Sequence, residues 1–372
     1  MEKHLHIVCF EVPYPANYGG LFDVFYKIVA LHKMGILIHL HCFEYGRGTQ
    51  PILEKYCVHV IYYKRMTGIK GLVPGLPYII SSRKDRELLQ QLKKDDFPIL
   101  LEGVHCSYFL SSGELKGRKV FLRLHNIEHE YYRQLARATS SLLDRIYFKR
   151  ESFLLKHYET QLSTTTTILA VSKTDETYYK NKFPSQPVHF LPVFLPWKQV
   201  TSIAGIGDYC LYHGNLSVSE NEKVVFWLIN DIHPHISLSF IITGYNPSKR
   251  LKLFAAGKKV QLIANPTPEV LENLIQNAQV NVIPSFNNTG VKIKLLHALF
   301  VGRHCLLNKA GDSGSGLDQL CHHAETALDF RASIQSLAGK TFTEYNISER
   351  KKVLEVLYDN ERNAEFLKSL IY

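Results

Sequence analysis

The chain has 372 residues, 45% of them hydrophobic and 21% charged, too long for one compact core and too evenly mixed for disorder, so two domains are expected. Its 44 Lys plus Arg against 34 Asp plus Glu leave a formal charge of +10. The basic residues form no block, and no zinc finger or aromatic RNA motif accompanies them. Nucleic acid is therefore set aside, and phosphorylated small molecules or an anionic membrane face remain as partners.

In the opening stretch MEKHLHIVCFEVPYP, Glu11 interrupts a short apolar run and no small-residue cleavage site follows, so it reads as neither signal peptide nor anchor. No segment approaches the ~20 apolar residues of a membrane span. The seven cysteines are scattered, odd in number and without a C-x-x-C pair. That pattern predicts buried free thiols and a cytoplasmic protein, with peripheral attachment to the inner membrane face as an option.

Strands and helices alternate along the chain. HLHIVCF (4 to 10) and ILIHLHCF (36 to 43) read as strands around a helix at 21 to 35 that ends in glycine. Further strands are expected at 59 to 63, 99 to 103, 120 to 124 and 167 to 172, with helices at 84 to 94 and 130 to 162. The STTTT run between the last two elements reads as an ordinary connection. A Pro- and Gly-rich linker follows near 195 to 205. The rhythm then restarts with strands at 209 to 214, 239 to 244, 260 to 265, 280 to 285 and 303 to 308, and helices at 220 to 230, 247 to 256, 268 to 277 and 290 to 301. Such alternation predicts α/β architecture: two doubly wound, Rossmann-like domains of mostly parallel strands, facing each other across a cleft. The domains are placed at 1–197 and 203–346, with a C-terminal helix at 349–372 returning to the first.

In open α/β sheets ligands bind beyond the carboxyl ends of the strands, so the loops there carry the candidates. P-x5-G-G after the first strand, LRLHNIEHEYY, YHGNLSVSENEKVV, and VIPSFNNTGVKIKLLHALFVGRHCLL follow one another in an order and spacing that resembles the GT-B glycosyltransferases of the group 1, family 4 type. The resemblance covers nearly the whole chain. It implies transfer of a sugar from a nucleotide-sugar donor, bound by the second domain, to a glycan or lipid-linked acceptor held by the first. It further implies cell-envelope polysaccharide synthesis, retention at the anomeric carbon and no metal cofactor; no D-x-D dyad is present to hold one.

Physically, Gly290 lets the backbone approach a pyrophosphate, and the next helix offers unpaired N–H groups and the positive end of its dipole. Lys294, about one turn on, is assigned to the phosphates; Lys292 is left unassigned. Gly214, Asn215 and Gly244 lie in loops of the same domain and are taken as donor-binding. The family's E-x7-E frame falls on Thr289 and His297, neither of them acidic, and a neutral histidine cannot accept two hydroxyl hydrogen bonds as a carboxylate does. Asn215 stands where the family usually has arginine, with Lys223 a displaced substitute. This departure raises a second reading, a catalytically inactive nucleotide- or glycan-binding protein.

In the first domain Gly19 and Gly20 match the family's glycine loop, although such pairs also mark ordinary turns. His125 matches the histidine that contacts the transferred sugar. Asn126 is a candidate helix cap, with Glu128 and Glu130 in the acidic first turn. His125 to His129 also spells H-x-x-E-H, the inverted zinc-peptidase motif. Zinc chemistry needs both histidines on one helix face, whereas KVFLRL makes His125 the end of a strand. A nicotinamide site at AGIGDYC is excluded because it lacks the third glycine and precedes a strand instead of following one. Finally, residues 62 to 86 mix Lys64, Arg65, Lys70, Arg83, Lys84 and Arg86 with apolar side chains. They read either as a contact for an anionic membrane or lipid-linked acceptor, or as an ordinary loop.

Overall fold

The computed structural model describes residues 2–17, 19–139, 141–162 and 166–372. Tyr18 of the glycine loop and residues 163–165 of the STTTT run lie outside that set. The chain divides into two compact units, Met1–Pro196 with Tyr358–Tyr372, and Trp197–Leu357.

The first unit runs β1 (Lys3–Cys9), α1 (Gly19–Lys33), β2 (Ile36–Glu44), β3 (His59–Lys64), α2 (Tyr78–Ser81), α3 (Arg86–Leu92), β4 (Ile99–Glu102), α4 (Tyr108–Ser111), β5 (Val120–Leu124), α5 (Glu128–Ala138), α6 (Leu142–Glu159), β6 (Thr167–Ala170), α7 (Lys173–Lys182) and β7 (Val188–Phe190). Its sheet has the order β3-β2-β1-β4-β5-β6-β7, every pairing parallel. Near-continuous apolar strands such as ILL and VFL bury both faces under helices, as a parallel sheet requires.

The second unit runs β8 (Tyr209–Asn215), α8 (Ser219–Trp227), β9 (Ser239–Tyr245), α9 (Lys249–Gly257), β10 (Gln261–Ala264), α10 (Pro268–Asn277), β11 (Val280–Val282), α11 (Ile293–Val301), β12 (His304–Leu307), α12 (Lys309–Asp312), β13 (His322–His323), α13 (Ala327–Leu337) and α14 (Glu344–Leu357). Its parallel sheet has the order β10-β9-β8-β11-β12-β13. In each sheet the order reverses once, between β1 and β4 and between β8 and β11. Those two switch points, at the carboxyl strand ends, are where the fold leaves room for a ligand.

Three expected elements differ. The long helix over 130 to 162 is two helices, because Ser141 caps a new one by accepting from Asp144 N. Helix α11 begins at Ile293, not 290, after a Gly290 with φ of 66°. The tail is also two helices. Arg350 of α14 is buried and its guanidinium donates to the carbonyls of Leu299 and Gly302, so α14 belongs to the second unit and not to the first. After Asp359 caps it, α15 (Asn360–Ile371) packs on α1, and the Asn360 side chain brackets the Leu195 backbone through both its N–H and its carbonyl. All seven cysteines are unpaired and six are buried. Among the described residues no helix is long and apolar enough to cross a membrane.

Candidate functional site

At the β1/β4 switch point of the first unit, five polar side chains meet inside an apolar surround. Asp23 and Lys27 sit one turn apart on α1, their side chains 3.0 Å apart. Glu102 ends β4 and Arg123 lies opposite it in β5. The Arg123 guanidinium grips Asp23 with two bonds of 2.9 and 3.0 Å. Lys27 Nζ lies 2.8 Å from Glu102 Oε1. Phe194 N donates to Asp23 at 2.9 Å, and Arg123 also donates to the carbonyls of Leu191 and Pro192. All four charged side chains are buried. Two carboxylates and two cations cancel, which is how a desolvation cost of this kind is offset. Burial alone would raise the Asp23 pKa, but Arg123, Lys27 and His125 outweigh it and hold the carboxyl well below its usual range. Burial opposes ionisation of Glu102 in the same way, and Lys27 and His125 bring its pKa down.

His125, just beyond β5, is the member of the group that reaches the surface. Its Nε2 lies 3.1 Å from Glu102 Oε2 and 3.5 Å from Asp23 Oδ2. Both neighbours accept only, so Nε2 carries a proton toward them and Nδ1 is the ring nitrogen on the other edge. Gly20 faces that nitrogen: a Cβ there would stand 3.1 Å from Nδ1 and 3.0 Å from the Phe10 ring. The glycine at 20 thus keeps the imidazole edge open. Gly19 opens α1.

Asp23, Glu102 and His125 bring donor atoms within 4.8 Å of one another, the one such group among the described residues. Lys27 and Arg123 already occupy both carboxylates, so a metal ion would have to displace a cation from each. His129 does not join this group. It turns to Glu159 at 3.1 Å, so the two histidines of H-x-x-E-H face different carboxylates. Asn126 is not the cap of α5; Ile127 holds that position, and the Asn126 amide contacts Glu128 at 3.5 Å instead. Glu128 is buried, and desolvation pushes its pKa up to about 7.

At the β8/β11 switch point of the second unit, Lys294 Nζ donates to Tyr212 Oη and to Asn221 Oδ1, both at 3.1 Å. Asn221 is itself braced by donating to the Asn215 carbonyl at 2.8 Å. Burial lowers the Lys294 pKa to about 8, with Glu220 opposing the shift and Lys292 adding to it. Lys292 caps α11 without a side-chain bond to it and curls back onto the carbonyls of Thr289 and Gly290. The two lysines therefore part: Lys294 points to the end of β8 and Lys292 to its own loop.

The remaining predicted residues have mixed placements. Asn215 accepts from Ser217 N and Oγ, closing the turn after β8. Gly214 and Gly244 are register partners, and a Cβ on Gly244 would stand 1.9 Å from the Gly214 carbonyl oxygen, so glycine at 244 serves strand pairing. Thr289 is tied by N–H and hydroxyl to Asn287 Oδ1 at 2.8 and 2.7 Å. His297 stacks on Trp197 with ring centres 4.3 Å apart and meets His213 edge-on at 5.6 Å. Burial pushes the His297 pKa down to about 3, and the Nε2 atoms of both histidines are buried without a hydrogen-bond partner.

Sequence reasoning missed Glu220. This carboxylate, in the first turn of α8, accepts from Ser285 Oγ at 2.7 Å and adjoins the Asn221 that holds Lys294. It also missed Asp23, Lys27, Glu102 and Arg123. The available signal was a charge inside each otherwise apolar buried element, DVFYK, ILLE and VFLRL. The segment 62 to 86 is split. Arg83 is buried and donates to the carbonyls of Phe10 and Ile79 at 2.7 Å, and Ile79 and Ile80 are core residues, so these three are packed in the first unit, while Arg86 is exposed.

No protein-family model matches the sequence. An uncharacterized 44.6 kDa protein in the cps region of Klebsiella pneumoniae is 26% identical over 367 residues, covering 93% of this chain and 92% of its own. Solved structures of the same fold include sucrose-phosphate synthase from Thermosynechococcus elongatus, with 13% identity, 99% and 98% of the two chains covered and a TM-score of 0.72. HepE from Anabaena, in complex with UDP and glucose, has 12% identity, coverage of 99% and 100% and a TM-score of 0.64. The lipopolysaccharide outer core galactosyltransferase WaaB has 15% identity, coverage of 98% and 99% and a TM-score of 0.63. The chain thus has the GT-B fold, as its motifs suggested.

Proposed function

We propose that the protein is a glycosyltransferase that moves a sugar from a nucleotide-sugar donor to a glycan or lipid-linked acceptor in envelope or capsular polysaccharide synthesis, acting on the cytoplasmic side. The observation that carries this reading is Lys294, a cation held at the β8/β11 switch point by Tyr212 and Asn221 beside the Gly290 loop. The relative in a cps region and neighbours such as HepE bound to UDP and glucose support it.

In the proposed reaction the departing nucleoside diphosphate gathers negative charge, and Lys294 with the backbone N–H groups around Gly290 stabilises it. Those groups can do so without a divalent ion, so metal independence belongs to the proposal, as does retention of anomeric configuration. His125, its Nε2 proton fixed by Glu102, offers Nδ1 to a hydroxyl of the transferred sugar or the acceptor. Gly19 and Gly20 let that ligand approach. Gly214 and Asn215 border the donor site.

A binding protein without turnover is the second reading, favoured by Thr289 and His297 standing where the family's frame has carboxylates. Calorimetric titration with UDP, GDP and ADP tests the first step. Selective affinity for one of them supports either reading, and absence of affinity for all three overturns both. Release of nucleoside diphosphate from the matching sugar donor then separates enzyme from binder.

A further inference from the structure

The α5/α6 pair carries a surface that no catalytic role absorbs. On α6, Leu142, Leu143, Ile146 and Phe153 are 68, 79, 59 and 73% exposed. At about 100° per residue, Leu142, Ile146 and Phe153 fall within roughly 40° of one another around the helix. Lys149, Arg150 and Lys156, all exposed, flank that stripe. Asp144 is exposed but lies on the far side of the helix from the stripe, and Glu151 and Glu159 also turn away and are buried: Glu151 accepts from Tyr78 N, and Glu159 pairs with His129 and Lys182. Arg150 keeps one nitrogen 2.9 Å from Glu151 and remains half exposed.

A water-facing helix ordinarily keeps its large apolar residues inward and its charges outward. Here the apolar stripe and the basic residues share the outward face. Basic residues would weaken a purely apolar protein contact, but they match an anionic lipid surface, where the ammonium groups sit among the headgroups while leucine, isoleucine and phenylalanine enter the acyl boundary.

We propose that this face of α6 docks the first unit onto an anionic bilayer. The proposal deepens the reading of a lipid-linked acceptor and rests on it for its purpose, and it replaces Arg83 and Lys84 with a different set of contacts.

Co-sedimentation of the full chain with vesicles of phosphatidylcholine, with and without phosphatidylglycerol, tests the idea. The protein is expected to partition onto the phosphatidylglycerol vesicles and to come off as salt rises. K149E/R150E and, separately, I146S/F153S are each expected to lower the partition coefficient by about tenfold or more, with affinity for nucleoside diphosphate in solution unchanged. Equal sedimentation with both vesicle types, or variants that bind as the parent does, would overturn the proposal. So would ultracentrifugation showing a dimer that these variants dissociate, which would make the face a contact between copies. Vesicle binding without any nucleotide affinity would leave this surface standing and remove the glycosyltransferase reading; nucleotide affinity without vesicle binding would do the reverse.

Discussion

Glu102 holds Lys27 on one oxygen at 2.8 Å and His125 on the other at 3.1 Å. One buried carboxylate therefore neutralises a lysine and orients the Nε2 edge of a histidine that reaches the surface. Glu102→Gln keeps the shape but removes the charge, leaving Lys27 with Asp23 alone. Breaking a buried ion pair from one side costs about 3 kcal/mol or more, enough to lower the melting temperature by roughly 6–12 °C. The amide can also reverse the His125 tautomer. Turnover should fall at least about tenfold below that of a variant of similar stability altered elsewhere in the core. His125→Ala should lower kcat by about 100-fold, within the range for one positioned imidazole, while leaving nucleoside diphosphate affinity within about twofold. Loss of that affinity in the His125 variant would place the histidine in donor binding instead.

Lys294 gives a pH prediction with a definite sign. Its pKa is lowered to about 8, with burial the largest cause, so the ammonium is mostly protonated at neutral pH and is lost as pH rises through 8 to 9. A phosphate favours the charged form and so raises that pKa on binding. Affinity for nucleoside diphosphate should therefore be greatest near pH 7 and decline above about 8, with uptake of about three-quarters of a proton per ligand near pH 8.5. Titrations in buffers of different ionisation enthalpy measure this directly. Lys294→Met should weaken binding by about 100-fold and flatten the pH profile. Lys292→Met should do much less, since that amine is turned onto its own loop.

The alternation of strands and helices and the linker were legible because each is a local property of the chain. The buried ionic group was not, since Asp23 meets Arg123 one hundred residues away and Lys27 meets Glu102 across the sheet. Only the sheet order β2-β1-β4-β5 brings them together. Thr289 and His297 fell on the family's frame by spacing, yet the loop leaves helical geometry until Ile293, so counting turns back from Lys294 placed Gly290 on the wrong footing. Lys294 was picked by its one-turn spacing from Gly290, whereas its contacts with Tyr212 and Asn221 are tertiary and could not be read from that spacing.

Glu220 supplies a test of how the site manages without carboxylates at 289 and 297. It is bound to Ser285 and lies next in sequence to the Asn221 that receives Lys294, so under the proposed function its other oxygen is a candidate acceptor for donor hydroxyls. Glu220→Gln should weaken nucleoside diphosphate binding by about tenfold while leaving inorganic pyrophosphate, which has no ribose, within about twofold of the parent. Equal weakening of both ligands would mean instead that Glu220 only sustains the charge of Lys294. No change in either would remove it from the site.

A last expectation concerns a face of the first sheet that no ligand is assigned to. His6, His39 and His59 lie in register across β1, β2 and β3. His6 Nδ1 meets His41 Nε2 at 2.9 Å, His41 Nδ1 meets Tyr63 Oη at 2.8 Å, and His6 Nε2 meets Asp95 at 3.0 Å. His4 and His39 pair at 3.0 Å. Burial first, then the neighbouring imidazoles, lower His39 to about 4 and His41 to about 3; burial also lowers His6, against the pull of Asp95. In the unfolded chain these rings protonate near 6.5, so below that pH the unfolded state takes up protons that the folded state refuses. Stability contributed by the neutral stack is therefore complete above about pH 6.5 and drains away as pH falls toward 4. The melting temperature should drop steeply between pH 6.5 and about 4.5. His41→Asn should reduce the slope of stability against pH by about one proton in that window, even though it lowers stability at neutral pH by disturbing the bonds to His6 and Tyr63. A parent whose melting temperature is level from pH 7 to 4.5 would show that the histidines are already solvated and charged.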